Sequence, residues 1–328
     1  MSEQEWAAVS APADGAGRTR VRGWRWVVRT AFLVAALVAC GLVIWRTRED
    51  FLAAVADVSA FPLVLAFLAV LVGGVVPMFA WRVLILDLGS PIPLAAGARI
   101  YFVAQLGKFI PGSVWSVLAQ VELAREYRVP ARRSATVGLL TIVTAAVSAV
   151  LVLGLALPFS TEELRRGYWW VVLLLPPLLV LLYPPVIRRW SALLFRLLRR
   201  PADDLDVSVR ALAASVGWMV VAWVFYGLQL YALVADAAPD DVSAGPQVAL
   251  QCLGIFALAW VAGLLFVVVP AGAGVREVII VLGLASVLPS GAALAVALLS
   301  RVLLTVTDLL LAGLAVLAYR ARRSRDAV

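Results

Sequence analysis

Long apolar runs with few or no charged side chains dominate this sequence, and they limit the possible folds more than any other feature. They lie at residues 27–45, 61–81, 134–157, 168–187, 211–235, 246–269, 278–288 and 291–319. About 20 apolar residues in a helix cross the hydrocarbon core of a bilayer. In that core only helices and closed barrels satisfy the backbone, and these runs are continuous rather than alternating. We therefore predict an all-α polytopic membrane protein with about seven to eight transmembrane helices.

The composition agrees with a membrane protein and excludes several other classes. Of 328 residues, 63% are hydrophobic and 15% are charged, whereas soluble domains carry about a quarter charged residues. The chain has no histidine, and Cys40 and Cys252 both lie in apolar runs. We therefore expect no metal site, no cofactor, no catalytic residue and no enzymatic activity. The net charge of +8 indicates membrane topology and contact with anionic lipid, and we expect no nucleic-acid partner.

Arginine clusters set the predicted orientation, because basic residues favour the cytoplasmic side of a membrane. They lie at residues 18–29, 125–133, 188–200 and 320–325. We expect a multi-pass protein of the cytoplasmic (inner) membrane with both termini in the cytoplasm.

The same pattern divides the chain into a single membrane domain with two tails. Residues 1–23 are predicted to form a disordered cytoplasmic tail, residues 24–320 the transmembrane domain, and residues 321–328 a basic tail. The sequence Leu37-Val38-Ala39-Cys40 resembles a bacterial lipoprotein processing box. Because the apolar run continues past Cys40, we predict a membrane span here and keep processing as the alternative.

Two regions, 86–133 and 267–284, interrupt the apolar pattern with prolines and glycines. In each half of the chain two spans precede a broken hairpin, predicted at 91–127 and at 246–288, and one span follows it. This divides the domain into repeat A (about 27–158) and repeat B (about 168–319). Each half crosses the membrane an odd number of times, so we predict an inverted-topology repeat with broken or re-entrant helical hairpins. Such paired breaks indicate a transport site near the bilayer midplane. The alternative is a chance match of apolar segments.

Residues 187–200 form a basic, tryptophan-bearing amphipathic segment. It is typical of a helix lying along an anionic membrane surface. An ordinary cytoplasmic connector remains an equal alternative.

The first interrupted region contains Gln105-Leu106-Gly107-Lys108-Phe109-Ile110-Pro111-Gly112-Ser113-Val114-Trp115, in which Lys108 is the only lysine of the chain. An ammonium in an apolar segment is costly unless it is paired or faces a water-filled cavity. A turn at Pro111-Gly112 directs the N–H groups of the next half-helix toward an anion. Together these features predict a phosphate site. In the alternative, Lys108 reaches the cytoplasmic interface.

The second interrupted region contains Val269-Pro270-Ala271-Gly272-Ala273-Gly274-Val275-Arg276-Glu277. Proline and the small residues unwind the chain before Arg276 and Glu277 open a new helix. Arginine binds phosphate through two parallel hydrogen bonds, and Glu277 restrains the arginine or exchanges protons. The alternative is a structural Arg–Glu pair at a helix start.

Arg301 and Asp308 lie on one face of the last span, because their spacing of seven (301 to 308) equals about two helical turns. We expect both to face the bundle interior, toward Arg276 and Glu277. The predicted substrate-binding residues are Gln105, Gly107, Lys108, Pro111, Gly112, Trp115, Pro270, Gly272, Gly274, Arg276, Glu277, Arg301 and Asp308.

The chain resembles the lysylphosphatidylglycerol synthase transmembrane-region family, also described as flippase-like. The likeness rests on Gly107-Lys108-Phe109-Ile110-Pro111-Gly112-Ser113-Val114-Trp115 with Val129 and Ala131. It rests also on Pro270-Ala271-Gly272-Ala273-Gly274-Val275-Arg276-Glu277, followed by Ala297-Leu298-Leu299-Ser300-Arg301 and Asp308-Leu309.

The resemblance implies a flippase-like fold of about eight helices that moves lipids. In some members of the family this region is fused to a soluble C-terminal synthase domain that makes the lipid. Since the chain ends soon after the last span, we expect no synthase and no aminoacyl-lipid synthesis. Ala271 replaces the usual glycine, a change expected to matter little. The acidic residue expected in the span after the first signature is absent among Thr141, Thr144 and Ser148, which weakens any proton-coupling scheme.

These features predict a lipid flippase or transporter that moves an anionic phospholipid or a polyprenyl-phosphate-linked substrate by alternating access. Its partners are that lipid headgroup, the bilayer, and a separate synthase or glycosyltransferase. One alternative is a membrane-embedded transferase acting on lipid-linked sugars, with Asp203, Asp204 and Asp206 as metal ligands rather than a solvated turn. The other is a non-transporting partner of a membrane enzyme.

Overall fold

A computed structural model describes residues 38, 59–110, 114–159, 162–197, 206–239, 245–266 and 270–325. Most of those residues are helical, with no strand among them. The α-helices of this part of the chain are α1 (Ala60–Asp87), α2 (Leu94–Gln105), α3 (Trp115–Ala124), α4 (Ala131–Ala156), α5 (Glu162–Tyr168), α6 (Leu175–Leu181), α7 (Pro184–Leu197), α8 (Val209–Ala237), α9 (Pro246–Leu265), α10 (Val275–Leu284) and α11 (Ser290–Arg325). Short 3₁₀ segments cover Leu106–Phe109, Arg125–Tyr127, Leu157–Phe159, Trp169–Leu174 and Pro270–Gly272.

Five helices of the described chain are long and apolar enough to cross a membrane, namely α1, α4, α8, α9 and α11. A bent pair, Trp169–Leu181 with Pro184–Leu197, makes a sixth if it counts as one span. The all-α polytopic fold is therefore confirmed, whereas the predicted number of seven to eight spans is not. The predicted first span, 27–45, and the processing box at Cys40 lie outside the described residues apart from Val38.

The apolar run 168–187 does not form the single straight span that its composition predicts. A 3₁₀ segment and α6 are followed by α7 at an angle of 79°. Pro184 and Pro185 begin α7. Proline lacks an N–H and disfavours helical geometry in the preceding residue, so α6 ends before them and a new helix starts in another direction. The predicted amphipathic segment accordingly begins three residues earlier, at Pro184.

Helices α1 and α8 form the most extensive helix–helix contact among the described residues. The backbone N–H of Ser59, at the start of α1, donates to Asp236 near the end of α8 at 2.8 Å. At the other end, the backbone N–H of Ser208 donates to Asp87 at 2.7 Å, and its hydroxyl donates to the same carboxylate at 2.8 Å. Because each helix start is bonded to the end of its neighbour, α1 and α8 run antiparallel.

The two interrupted regions form short helices that meet inside the bundle. Helix α2 has 12 residues and α3 and α10 have 10 each, so they are about 15 to 18 Å long and cannot span about 30 Å of hydrocarbon. The 3₁₀ segment Leu106–Phe109 contacts the 3₁₀ segment Pro270–Gly272. Helix α11 packs against α1, α2, α8 and α10, which places it beside both breaks.

Two clusters of buried apolar residues hold the bundle together, and the polar centre of α11 lies between them. Leu303 belongs to the cluster built mainly from α4, α8, α9 and α10. Leu311 belongs to the cluster built mainly from α1, α2 and α4. Outward-facing leucines such as Leu68 and Leu314 are exposed. Exposed apolar side chains along such helices suit a lipid environment, where they need no further cover.

Candidate functional site

The first break brings Lys108 into the bundle because Gly107 permits a close backbone approach. A Cβ atom on Gly107 would lie 2.7 Å from the backbone nitrogen of Ser116 in α3. A side chain therefore does not fit, and the 3₁₀ turn rests directly on the start of α3. Gln105 donates from Nε2 to the hydroxyl of Tyr101 at 2.7 Å. This bond holds the end of α2 just before the turn.

The second break is built from residues with left-handed backbone. Gly272 and Gly274 have φ values of 68° and 81°, and Ala271 has a φ of 51°. Glycine adopts this conformation without steric cost, but a residue with a Cβ does not. The alanine at position 271 therefore does matter, contrary to the expectation from the sequence. Helix α10 begins directly afterwards, so Arg276 and Glu277 lie in its first turn.

Two glycines make room for the Arg276 side chain. A Cβ atom on Gly263, in α9, would lie 2.8 Å from Arg276 Nε. A Cβ atom on Gly272 would lie 3.0 Å from the same nitrogen. The two glycine backbones also contact each other, since a Cβ on Gly272 would lie 3.0 Å from Gly263 Cα, and the arginine side chain lies against both of them. Gly263 was not among the predicted site residues, although a glycine inside an apolar helix often has such a packing reason.

Two charged residues of helix α11 each contact an oppositely charged residue of one break. Asp308 Oδ2 lies 2.6 Å from Lys108 Nζ of the first break. Arg301 donates from Nη1 to Glu277 Oε1 of the second break. The prediction that Arg301 faces Glu277 is confirmed, and the partner of Asp308 proves to be Lys108. A single helix face thus joins both interrupted regions.

Arg276 has no corresponding carboxylate. It makes no hydrogen bond and no ion pair with other residues in the described part of the chain, and its Nε atom is buried without a partner. The site therefore contains three cationic groups (Lys108, Arg276 and Arg301) and two carboxylates (Glu277 and Asp308), a formal excess of one positive charge. The side chains of Arg301 and Glu277 are each 11% exposed, so water screens this excess poorly.

All five charged side chains line one cavity of about 50 Å³. The remaining lining residues are Phe109, Phe256, Ala259, Trp260, Ala271, Ile280, Ala297, Ser300, Leu304 and Thr305. The apolar stretch of α11 runs over Ser290–Ala321, and Arg301 and Asp308 lie on either side of its middle. The cavity is therefore at mid-depth of that helix. Its volume holds a few water molecules.

The sequence alone did not point to the uncharged side of this cavity. Phe256 and Trp260 from α9 form an aromatic wall, with Tyr226 stacked on Phe256 at 5.2 Å. Ser300 lines the cavity and donates to the buried Gln229 of α8 at 3.0 Å. These positions lie within ordinary apolar runs, so no sequence signal separates them from other core residues.

Several other predicted site residues do not line the cavity or lie outside the described residues. Trp115 is the first residue of α3 and is 39% exposed. Gly274 precedes α10 and is exposed. Pro270 opens the second 3₁₀ turn, and Pro111 and Gly112 lie outside the described residues.

The hydroxyls of the span after the first break have structural partners. Thr144 Oγ1 lies 3.1 Å from Ser215 Oγ, and Ser148 Oγ accepts a hydrogen bond from Trp223 Nε1 at 2.8 Å. Of the three aspartates considered as metal ligands, Asp206 lies 4.0 Å from Arg188. Asp203 and Asp204 lie outside the described residues.

The sequence model of the family described as "Lysylphosphatidylglycerol synthase TM region" matches residues 27–312. The chain belongs to this family. The match covers most of the chain and includes both breaks and all five charged residues of the cavity. No curated protein sequence matched. Family and fold together indicate a multi-pass membrane protein with a lipid-related function.

Proposed function

We propose that this member of the lysylphosphatidylglycerol synthase transmembrane-region family carries an anionic lipid headgroup across the bilayer and does not catalyse a reaction. Arg276 supports the proposal most directly. It is a guanidinium at mid-depth of a membrane bundle, it lines a cavity, and it has no acidic partner in the described chain. Ionisable groups at such depth are costly and mark substrate pathways. A bound anion compensates the charge.

The chemistry of the cavity suits a phosphate. Arginine binds phosphate oxygens through two parallel hydrogen bonds, while lysine acts as a point charge. The first turn of α10 adds free N–H groups and the positive end of the helix dipole. The acyl or prenyl chains stay in lipid along the exposed apolar faces of the bundle. Both an anionic phospholipid and a polyprenyl-phosphate-linked substrate have the required headgroup.

Alternating access requires two halves that rock around the site, and the packing supports an inverted repeat. Helices α1 and α8 have 28 and 29 residues, run antiparallel, and are joined by Ser–Asp hydrogen bonds at both ends. Each is followed by a broken pair, α2 with α3 and α9 with α10, and then by a long helix, α4 or α11.

The remaining parts of the proposal concern the cellular setting. The arginine clusters favour the cytoplasmic membrane with both termini in the cytoplasm. A separate synthase or glycosyltransferase that makes the lipid is the proposed partner. Cofactors have no role in this scheme.

Reconstitution into vesicles tests the proposal. Phosphatidylcholine vesicles carry a trace of acyl-labelled phosphatidylglycerol or of labelled polyprenyl-phosphate sugar, and a quencher added outside reports headgroup crossing. We expect the wild type to accelerate crossing of at least one probe and Arg276→Gln to reduce it to the protein-free rate. Arg166→Gln is the matched control, because Arg166 is 80% exposed and lies in α5 away from the cavity.

Two results contradict the proposal. One is a wild-type rate in Arg276→Gln, with protein that shows a normal unfolding temperature in detergent. The other is no crossing of either probe above the protein-free rate. Lys108→Gln serves as the second variant if Arg276→Gln does not fold.

A further inference from the structure

We infer that the carried headgroup is a phosphodiester with one net negative charge, and that Glu277 and Asp308 set this charge preference. The inference rests on the proposed function and narrows its substrate class. A phosphodiester occurs both in glycerophospholipids and in polyprenyl-phosphate sugars. The inference excludes free polyprenyl phosphate, because it is a phosphomonoester. It also excludes zwitterionic phospholipids, because their headgroups carry no net charge.

The first step is the charge balance of the cavity. Three cations and two carboxylates leave one positive charge, and the pair of Arg301 and Glu277 is largely shielded from water. An uncompensated charge in such surroundings is costly. A monoanion makes the occupied site neutral, whereas a dianion leaves one negative charge and a zwitterion leaves the positive charge in place.

The second step is the distribution of these charges. Glu277 contacts Arg301, and Asp308 contacts Lys108 at 2.6 Å. Of the three cations, Arg276 is therefore the one that has no ion pair among the described residues. One phosphate with a single charge matches one guanidinium. The ammonium of a zwitterionic headgroup needs a carboxylate, and each carboxylate of the cavity already has a cation beside it.

The third step is the state of the phosphate. A phosphomonoester carries about 1.5 to 2 negative charges at neutral pH, because its second pKa is about 6. A diester has a single acidic oxygen and remains a monoanion. The same site therefore discriminates between two phosphate lipids with identical chains. This discrimination depends on Asp308 and Glu277, which cancel two of the three positive charges.

Competitive lipid binding measures this preference. The purified full-length protein is equilibrated at pH 8 with equal amounts of phosphatidylglycerol, phosphatidic acid and phosphatidylethanolamine of matched acyl chains, and native mass spectrometry counts the bound lipids. A second series compares a polyprenyl-phosphate sugar with the free polyprenyl phosphate and so distinguishes the two lipid sources. We expect a diester monoanion to exceed both the monoester and the zwitterion by roughly tenfold.

Charge variants separate electrostatics from packing. Asp308→Asn raises the site charge by one and should reverse the preference toward the monoester. The double variant Lys108→Gln with Asp308→Asn removes one charge of each sign and should retain the preference for the diester. Glu162→Gln is the matched control, because this exposed carboxylate pairs with Arg165 and Arg166 outside the cavity.

The outcomes distinguish this inference from the proposed function. An unchanged preference in Asp308→Asn, or a wild type that prefers the monoester or the zwitterion, overturns the inference. If Arg276→Gln still abolishes headgroup crossing in that case, the carrier proposal stands without it. If Asp308→Asn does not fold, Glu277→Gln and the double variant give the same comparison, and an unchanged preference in Glu277→Gln overturns the inference equally.

Discussion

Gly263 lies against the side chain of Arg276, and its replacement by alanine tests whether the position of that guanidinium matters. A Cβ at this site would lie 2.8 Å from Arg276 Nε, whereas ordinary contacts begin at 3.4 Å. The nitrogen must therefore retreat by about 0.6 Å, the difference of these two distances. The same Cβ would lie 3.1 Å from Arg276 Cγ and 3.4 Å from Gly272 Cα. The middle of the arginine side chain, and not only its end, would therefore have to change its path.

The effects on stability and on transport have different sizes. Replacing glycine by alanine in a helix contributes up to about 1 kcal/mol of stability, while overpacking costs about 1 to 3 kcal/mol. The net loss for Gly263→Ala is therefore about 0 to 2 kcal/mol, which most folded proteins tolerate. In enzymes a misplacement of about 1 Å at a functional group lowers activity about 100-fold. We expect at least a tenfold fall in headgroup crossing from protein that remains folded.

Gly217→Ala provides the matched control. Gly217 lies in α8, and a Cβ there meets nothing within 4 Å. This variant should gain up to about 1 kcal/mol from helix propensity and transport at the wild-type rate. The assays are headgroup crossing in vesicles and thermal unfolding in detergent. A wild-type rate for Gly263→Ala, or an equal fall for Gly217→Ala, would show that the packing around Arg276 does not control transport.

Two further predictions concern the scaffold around the site. Ala271→Gly should stabilise the protein by about 1 kcal/mol, because glycine removes the steric cost of the left-handed backbone; thermal unfolding measures it, and a lower unfolding temperature would contradict the assignment. Asp87→Ala should destabilise by about 1 to 2 kcal/mol, because Ser208 loses two hydrogen bonds, and Asp236→Ala by about 1 kcal/mol, because Ser59 loses one. The two losses of stability should add in the double variant, since the two helix ends are distant from each other. Faster amide hydrogen exchange at Ser208 and Ser59 would show that these hydrogen bonds are the cause. Losses that do not add would contradict the prediction.

Much of the fold follows from the sequence, because bilayer physics leaves few choices. Apolar runs of sufficient length become helices, and α1, α4, α8, α9 and α11 lie where those runs predict them. Prolines and glycines locate the two breaks. The angle between α6 and α7 was missed, although Pro184 and Pro185 carried the signal. The prediction of one straight span relied on the apolar composition of residues 168–187 and gave too little weight to these two prolines.

The candidate site was predicted in its members but only partly in its pairing, because Arg301 was expected to face Glu277 whereas the pair of Lys108 and Asp308 was not expected. Lys108, Arg276, Glu277, Arg301 and Asp308 stand out because charged residues in apolar segments must face the interior. Their spacing could not show which carboxylate meets which cation. Residues more than a hundred positions apart come together only through helix packing.

The sequence by itself determined a helical membrane bundle with two breaks rich in proline and glycine, and it predicted five charged residues at the site, since the bilayer disfavours charged side chains that face lipid. The tertiary structure alone decided that α11 joins the breaks, with Asp308 beside Lys108. It also decided that Arg276 lies against Gly263 and Gly272 without an ion pair among the described residues. The physical reason is that ion pairing depends on distances of a few ångströms, and such distances are fixed by how the helices pack.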